Sequence, residues 1–456
     1  MPTVGLSMIV KNGGDDLRHC LASARPIVDQ IVIVDTGSTD DTRTIAQEFG
    51  AMVVEYAWSN HYANARNESL KHLTTDWILV LDADEELSAE AISEIPKLLN
   101  CDAGVGGFAL LQRNYMKDRF QHSLGSVSLE FKGESKRAAE LKAKSYLDNP
   151  LCRLFRKHPQ LYFTGRIHEG VELQLLAAHR TLTHTRLIIH HFGHLAQTKP
   201  QLEKQEKYRD ILRLALEEDP NDARLWLQLG TTHQVYFQQT DEALQCYLKA
   251  TELNYPKADP WISLAQICLE KDQPQNVLDA VRHLKDTGDE GILKLEYSGD
   301  ALHNLGRLKE ARAAYASALK MARRNPNYRA TGWDGQLESK LGYTEVRLGM
   351  HRAGIRKMRA SMVDFPASLP QHERLVKALV LLGRDVEAAD AADNSLNHFV
   401  SEKIVARSIA LNIRVNRMDR VNHALEVGMR LFPESELLRR MQSPQTNQEP
   451  RPWLMS

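Results

Sequence analysis

The chain has 456 residues, which is too long for one ordinary hydrophobic core, so we expect at least two domains. Its 58 lysine and arginine residues balance 59 aspartate and glutamate residues, which argues against a nucleic-acid partner or an anionic membrane surface. The five cysteines are far apart, no 18 apolar residues run together and no signal-peptide pattern opens the sequence, so we expect a cytoplasmic protein without a transmembrane segment.

Short apolar runs alternate with helical patterns in the first part of the chain. The apolar runs are VGLSMIV, QIVIVD, AMVVEY and DWILVLD, and the helical patterns that follow them are DDLRHCLASA, TDDTRTIAQEF, ANARNESLKHL and SAEAISEIPKLL. Continuous Val, Ile and Leu runs between helices are typical of strands buried on both faces of a parallel α/β sheet. Such sheets bind ligands at the carboxyl ends of their strands, so the loops after these strands are the candidate site.

The second strand ends in VDTGSTDDT, which carries a candidate ligand-binding acid. Asp35 ends the strand, and Ser38 or Thr39 is expected to cap a helix that stops at Gly50. The two aspartates of TDDT would repel a phosphate at that helix start, so this loop is not a phosphate cradle. We expect Asp35 to accept hydrogen bonds from a base or a ribose.

The fourth strand runs directly into four carboxylates in WILVLDADEEL. A pair such as Asp82 and Asp84 at a strand end can direct one carboxylate to a ligand hydroxyl and the other to a divalent cation. Acids are also favoured at a helix start, and Ser88 is a suitable N-cap for the helix that follows. We assign Glu85 and Glu86 to that acidic helix start and keep Asp82 and Asp84 as candidate site residues.

The strand signal disappears from about residue 200, where a helical repeat begins. A small or β-branched residue recurs at intervals of 34, 34, 43, 34 and 33 residues, at Ala243, Val277, Ala311, Gly354, Ala388 and Val421. This is the period of tetratricopeptide repeats, which stack into a solenoid. In the clearest unit, YSGDALHNLGRLKEARAAYASALKMARRNP, we expect Gly299 to lie at a close helix contact.

The four segments SMIVKNGG, IVIVDTGSTDDT, YANARNESL and DWILVLDADEEL, in this order, resemble the family 2 glycosyltransferases. With the repeats, the chain is similar to a subgroup related to the sublancin-type peptide S-glycosyltransferases. The resemblance implies an α/β GT-A nucleotide-sugar-binding domain over residues 1–196, an all-α tetratricopeptide solenoid over 197–440 and a disordered tail over 441–456. One departure is that relatives carry an acidic pair where this chain has Gly13 and Gly14.

The resemblance also implies roles for individual residues around a nucleotide-sugar donor. Those that would line the base, ribose, diphosphate or sugar are Val10, Asn12, Asp35, Arg66, Asn67 and Asp82. Asp84 would hold a divalent cation, Mn²⁺ or Mg²⁺. In LIIHHFGHL, His190 and His191 alternate faces if they end a strand, and His191 is the one that matches the family histidine and would complete the metal or diphosphate site.

The segment GRIHEGV resembles the IHE motif of the subgroup. Glu169 is the candidate base that would deprotonate the acceptor, and His168 would orient it or act as an alternate base. A surface glutamate and a core histidine are the structural alternative.

These observations predict a metal-dependent, inverting glycosyltransferase that uses a nucleotide sugar, with a UDP-sugar as first choice. The repeats would present a peptide or protein acceptor or form a homodimer. One alternative is a binding scaffold whose first domain is inactive, although retention of Arg66, Asp82, Asp84 and the IHE segment argues against it. Another is a nucleotidyltransferase, which is disfavoured because no Gly-rich, basic triphosphate loop follows the first strand. The sugar and the acceptor atom stay open.

Overall fold

The computed structural model describes residues 1–117, 122–123, 126–127, 129–196, 202–325, 328, 332–363, 368–398 and 401–441. Contacts within the chain define two compact units, Met1–Pro260 and a second that begins at Trp261. The predicted domain boundary at 196/197 lies next to residues outside the described ranges. The predicted tail, 441–456, also lies outside them, except for Met441.

The first unit is built on a mixed sheet of nine strands among the described residues, with a separate two-stranded sheet beside it. The strands are β1 (Val4–Val10), β2 (Gln30–Asp35), β3 (Met52–Glu55), β4 (Trp77–Val80), β5 (Glu85–Leu87), β6 (Val105–Met116), β7 (His122–Ser123), β8 (Ser126–Val127), β9 (Leu129–Glu130), β10 (Ser145–Arg156) and β11 (Thr181–His191). The helices are α1 (Gly14–Ala24), α2 (Thr42–Glu48), α3 (Tyr62–His72), α4 (Ala89–Leu98), α5 (Lys136–Glu140), α6 (Glu172–Ala177), α7 (Gly193–Ala196), α8 (Leu202–Glu218), α9 (Ala223–Phe237) and α10 (Thr240–Glu252).

The sheet order brings the ends of distant strands to one edge. It runs β3-β2-β1-β4-β10-β6-β11-β5, with β3, β2, β1 and β4 parallel. Strand β10 pairs antiparallel with β4, and β11 pairs parallel with β6. The carboxyl ends of β1, β2, β4 and β11 therefore approach the same region, as the parallel α/β pattern predicted.

Both faces of β1, β2 and β4 are buried, which explains their continuous apolar runs. The edge strand β3 is only partly buried, contrary to the sequence prediction, because it has a neighbouring strand on one side only. Leu6 and Leu79 pack with Leu17 of α1 in one cluster, while Ile78 and Phe155 pack in a cluster on the other side. Each fully buried side chain of this size contributes about 1.5–3 kcal/mol to folding. The strand ends are therefore fixed from both sides, and the loops that follow them carry the polar residues.

The start of α2 differs from the sequence prediction. Ser38 and Thr39 do not cap a helix, because α2 begins only at Thr42. The Ser38 hydroxyl instead accepts a hydrogen bond from the Asn12 backbone N–H at 2.9 Å, and Asp40 accepts from the Thr42 N–H at 3.2 Å. The loop after β2 is thus held by the loop after β1 rather than by helix capping.

The segment after β4 also differs from an acidic helix start. Ser88 is the N-cap of α4 as predicted, since its hydroxyl accepts from the Ala91 N–H at 3.1 Å. Glu85, however, lies in the short strand β5, which pairs antiparallel with the end of β11, and its side chain is fully buried. Glu86 lies in the same strand and pairs with Arg137. The assignment of Glu85 and Glu86 to an acidic helix start is therefore wrong, because pairing of β5 with β11 takes both residues into the sheet.

The rest of the chain is helical, as the repeat predicted. Its helices are α11 (Asp259–Glu270), which crosses the boundary, α12 (Pro274–Val281), α13 (Gly288–Asn304), α14 (Leu308–Ala322), α15 (Trp333–Arg347), α16 (His351–Ala360), α17 (Leu369–Leu381), α18 (Asp385–Leu396), α19 (Glu402–Arg414), α20 (Met418–Leu431) and α21 (Glu436–Met441). The six recurring small or β-branched residues are all buried and occupy the second helix of each pair. Within the described part of the chain, no helix is long and apolar enough to span a membrane.

Gly299 shows why the repeat needs a residue without a side chain. A Cβ at this position would lie 2.5 Å from the Tyr315 ring, and the Tyr315 hydroxyl is fixed by a 2.6 Å hydrogen bond to Asp300. The predicted close helix contact is therefore confirmed between α13 and α14.

We expect Gly299→Ala to lower the free energy of unfolding by about 1–3 kcal/mol, because the added methyl group overpacks the contact with Tyr315. Ser298→Ala, one residue earlier on α13, is the matched control and should change it by less than about 0.5 kcal/mol. Denaturant unfolding of both variants measures the difference. Equal stabilities would show that the Tyr315 ring yields without cost.

Candidate functional site

Arg66 joins two carboxylates from distant parts of the chain. Its Nε donates to Glu169 Oε1 at 2.6 Å, and its Nη2 donates to Asp82 Oδ1 at 2.6 Å. Arg66 lies on α3 and is only 5% exposed, so the two acids share one buried cation. The structure thus brings together three of the residues that the family resemblance singled out.

A second arginine, which the sequence analysis did not single out, holds the other side of Asp82. Arg153 of β10 donates from Nη2 to Asp82 Oδ2 at 3.1 Å and to Glu85 Oε1 at 2.8 Å. Burial by itself would raise the pKa of Asp82, but Arg66 and Arg153 hold it well below its usual range. Burial, reinforced by Asp82, raises the pKa of Glu85 despite the opposing effect of Arg153.

These five groups form a continuous chain of charge from Glu169 through Arg66, Asp82 and Arg153 to Glu85. Buried ions of this kind are tolerated only when each is paired. One sequence feature indicates this role for Arg153: it stands beside the apolar residues of RLFR, and an arginine in a buried strand needs an anionic partner. Its partners were not predictable, because Arg153 and Asp82 are 71 positions apart.

Asp84 and His191 meet beside this chain of charge. Asp84 Oδ2 lies 3.3 Å from His191 Nε2, and His191 Nδ1 lies 2.6 Å from Asn114 Oδ1. The amide oxygen of Asn114 accepts a hydrogen bond from the Nδ1–H of His191, which leaves the unprotonated Nε2 facing the carboxylate of Asp84. A Cβ on Gly193 would come 2.9 Å from His191 Nε2, so the pair also requires a glycine after the strand.

His190 faces away from Asp84. Its Nδ1 lies 2.8 Å from the Tyr115 hydroxyl, and the two rings stack with centroids 5.8 Å apart. Burial lowers the pKa of His190 to about 4, so this ring is neutral near pH 7. The alternation of neighbouring residues along β11 thus places His191, and not His190, next to Asp84.

The IHE segment is folded against the first helices of the repeat region. A bridge between Thr164 and Gly170 closes the loop, and His168 adopts a left-handed backbone with φ of 51°. The His168 ring pairs with the Tyr208 hydroxyl of α8, and burial, followed by Arg224, lowers its pKa to about 4. His168 therefore points to α8, while Glu169 points to Arg66.

The loops after β1 and β2 are tied to each other. The Val10 carbonyl accepts from the Thr36 N–H at 2.9 Å, and Asn12 Oδ1 accepts from the Thr39 N–H at 2.8 Å. Asp35 is 1% exposed and pairs with Arg43. Burial would raise the pKa of Asp35, but hydrogen bonds from Ser38 and Arg43 lower it overall. A base would meet a carboxylate that is already charged and partly engaged.

Asn67 uses both ends of its amide on one backbone position. Its Nδ2 donates to the Phe163 carbonyl at 2.9 Å, and its Oδ1 accepts from the Phe163 N–H at 2.8 Å. Asn67 therefore fixes α3 to the segment that leads into the IHE loop. This contact positions Arg66, the preceding residue of α3, relative to Glu169.

Comparison with known families agrees with the fold and the placement of these residues. Residues 6–159 match the model of glycosyl transferase family 2, and residues 223–256 and 298–325 match a tetratricopeptide repeat model. The chain therefore carries a glycosyltransferase family 2 domain followed by tetratricopeptide repeats. The resemblance and the fold class that the sequence predicted are confirmed.

Relatives of this chain include proteins with each of its two parts. A TPR repeat-containing protein of Synechococcus elongatus is 32% identical over 236 residues, which cover 50% of this chain and 52% of that protein. Glycosyltransferase SunS from the SPbeta prophage of Bacillus subtilis is 33% identical over 99 residues, or 21% of this chain and 24% of SunS. The chain thus spans about half the length, or less, of these relatives.

Solved structures resemble the chain only distantly. Glucosyl-3-phosphoglycerate synthase from Mycobacterium tuberculosis, in complex with Mn²⁺ and UDP, aligns with a TM-score of 0.31 and 16% identity over 47% of this chain and 79% of that one. The PilF protein of Pseudomonas aeruginosa aligns with a TM-score of 0.34 and 18% identity over 52% of this chain and 98% of that one. Scores this low carry no argument about ligands.

We expect Arg66→Met to lower the free energy of unfolding by about 3–5 kcal/mol at pH 7, because it leaves buried carboxylates without their shared cation. Because Asp82 has a lowered pKa in the folded protein, its pairing stabilises the fold above its unfolded pKa and ceases to do so as the pH falls. The difference in the free energy of unfolding between Arg66→Met and the unchanged protein should therefore become smaller toward acidic pH.

Denaturant unfolding at several pH values measures this dependence. Arg186→Met, at an exposed position of β11 in the same unit, is the matched control and should change stability by less than about 0.5 kcal/mol at every pH. A loss that is equally large for the two variants would contradict the assignment.

Proposed function

We propose that this protein is a glycosyltransferase that moves a sugar from a nucleotide-sugar donor to an acceptor by a single displacement with inversion. The observation that carries the proposal is the arrangement of Glu169, Arg66 and Asp82 in one bonded row, beside the pair of Asp84 and His191. Asp82 and Asp84 follow β4 and His191 ends β11, so these three lie at the carboxyl ends of strands, where α/β sheets bind their ligands.

The pair of Asp84 and His191 fits a divalent cation. With the Nδ1 proton held by Asn114, the lone pair on His191 Nε2 faces a carboxylate oxygen, an unfavourable contact unless a proton or a cation lies between them. Asp84 and His191 would hold the ion, Mn²⁺ or Mg²⁺, and the ion would supply positive charge to the departing diphosphate. Among the described residues no group of three or more candidate ligands occurs, so donor oxygens and water would complete its coordination.

Asp82 and Arg66 would bind the donor. Asp82 keeps its negative charge because two arginines stabilise it, so it can accept hydrogen bonds from sugar or ribose hydroxyls. Arg66 Nη1 is buried and has no hydrogen-bond partner within the described chain, which costs about 1–3 kcal/mol. A donor oxygen that reached this N–H would remove the cost. Asp35, Val10 and Asn12 keep their proposed places around the base and the diphosphate. Asn67, whose amide is bonded at both ends to the Phe163 backbone, would instead position Arg66.

Glu169 would act as the base for the acceptor. Its carboxylate is 11% exposed and is held at a fixed position by Arg66, so it can take the proton of an acceptor hydroxyl or thiol as that atom attacks the sugar. His168 is neutral near pH 7 and bonded to Tyr208. Its proposed role is therefore to hold the Glu169 loop against α8 rather than to serve as a second base.

The acceptor is proposed to be a peptide or protein bound by the tetratricopeptide helices, since stacked helical repeats offer extended surfaces for chains. The same surface could pair two copies of the chain as a homodimer. A UDP-sugar is the proposed donor, because the family resemblance favours a uracil base in the site that Asp35 would line.

Incubation of the full chain with Mn²⁺ and a panel of UDP-sugars should release UDP from at least one donor. Asp84→Asn should lower that rate about 100-fold or more, because the cation that would stabilise the departing diphosphate loses its charged ligand. Asp41→Asn, an exposed aspartate in the same unit, is the matched control and should keep full activity. Release of UDP by the unchanged protein and Asp84→Asn at equal rates would refute the role of Asp84, and no binding of UDP with Mn²⁺ would favour a scaffold.

Binding of Mn²⁺ should weaken as the pH falls, because a proton competes for His191. Burial lowers the pKa of His191, but Asp84, Glu85 and Asp82 raise it more, so the pKa lies above its ordinary value in the chain without a cation. Below that pKa, Mn²⁺ affinity in the presence of UDP should fall by up to tenfold per pH unit.

The same titration can be done with two matched variants of β11. His191→Asn should bind Mn²⁺ more weakly and with a flatter pH dependence, because amide ligands do not titrate. His184→Asn, at an exposed position of the same strand, should keep both the affinity and the slope. A slope that survives in His191→Asn would assign the titrating group elsewhere.

A further inference from the structure

A charged pocket lies within the second unit, apart from the residues discussed so far. It has a volume of about 220 Å³ and is formed by α13, α14, α15 and α17. The first helices of three successive pairs contribute to it, with Asp300 on α13, Lys340 and Tyr343 on α15, and Arg374 and Lys377 on α17. A binding site that is built from successive repeats suits an extended ligand.

The acids around this pocket already have cationic partners. Lys340 donates to Glu296 at 2.7 Å and to Asp300 at 2.6 Å, and Asp300 also accepts from the Tyr315 hydroxyl. The third acid nearby, Glu373, pairs with Arg407 at 3.3 Å. These carboxylates are thus not available as full partners for another cation.

Arg374 and Lys377 are cations that lie one turn apart on α17 and face this pocket. Arg374 donates to the neutral amide oxygen of Gln336 at 3.2 Å, and neither side chain has an ion pair with a described residue. Burial lowers the pKa of Arg374 despite the nearby acids. Burial, followed by Arg407, also lowers the pKa of Lys377. Two cations thus lie one turn apart at the pocket wall without a carboxylate of the described residues in ion-pair contact, an arrangement that favours an anionic ligand.

Positive charge continues along the next first helix. Lys403 and Arg407 of α19 line a second pocket, of about 300 Å³, and both lie close enough to Lys377 to disfavour its charged form. Arg374, Lys377 and Lys403 therefore form a row of cations across α17 and α19, with Arg407, which is paired with Glu373, beside it. Such a row matches a ligand that carries several negative charges along its length.

We propose that this row of cations binds carboxylates of an acidic peptide segment. The planar guanidinium of Arg374 can donate two parallel hydrogen bonds to a carboxylate. Each carboxylate oxygen of Asp300 already accepts one hydrogen bond and has a further lone pair at the pocket wall, which a peptide N–H group can satisfy and a phosphate without a proton cannot. The proposal concerns binding alone and does not depend on the transferase activity.

The probe for the test is fluorescently labelled hexaglutamate, added to the full chain and followed by fluorescence anisotropy. It should bind saturably and more weakly at high salt. Arg374→Ala and Lys377→Ala should each weaken binding about tenfold, as for the loss of one charge-assisted contact. Arg356→Ala and Lys320→Ala change exposed cations on other faces of the same unit and should leave the affinity unchanged.

Removal of Lys377 relieves its repulsion by Arg407, Lys403 and Arg374, so Lys377→Ala should melt at the same temperature as the unchanged protein or higher. This variant therefore tests the pocket even if Arg374→Ala folds poorly. Hexaglutamate with an amidated C-terminus shows which carboxylates are bound. A large loss of affinity means that the pocket binds the C-terminal carboxylate, and an unchanged affinity means that it binds the glutamate side chains. Lack of hexaglutamate binding, equal binding by all four variants, or displacement of the peptide by an equal concentration of inorganic phosphate would overturn the proposal.

Discussion

The pairing of Arg66 with two carboxylates is the constraint on which the candidate site depends. Asp82 follows β4, and Glu169 belongs to a loop more than 80 residues later, yet both accept hydrogen bonds from one guanidinium at 2.6 Å. Glu169 is 11% and Asp82 33% exposed in their side chains, and two partly buried acids held by one guanidinium would repel each other without it. Arg66 therefore sets the distance between the group proposed to bind the donor and the group proposed to activate the acceptor.

The helices of the first repeats support this arrangement from the other side. Ile167 packs in one apolar cluster with Ile211 and Leu212 of α8, and the His168 ring contacts Tyr208 of the same helix. The loop that carries Glu169 is consequently held between α3 and α8. This contact also explains why the first compact unit extends to Pro260, whereas sequence periodicity places the boundary where the strands end.

Local patterns predicted the parts of the fold that local physics decides. Apolar runs predicted the parallel strands, and the 34-residue period predicted the helix pairs and the close contact at Gly299. Glu85 was misassigned because its burial depends on pairing between β5 and β11, which no local pattern records. Arg153 was missed for the same reason, since its contacts with Asp82 and Glu85 depend on the pairing of β10 with β4.

The central claim is that Asp84 and His191 form the protein's half of a cation site next to an Arg66 bridge that persists when the donor binds. A crystal structure with UDP and Mn²⁺, with the metal located by its anomalous scattering, tests this claim most directly. The account predicts an Mn²⁺ peak within coordination distance of the Asp84 carboxylate and His191 Nε2, with Arg66 still bonded to Asp82 and Glu169. A peak on other residues, or a broken Arg66 bridge with the donor bound, would contradict it.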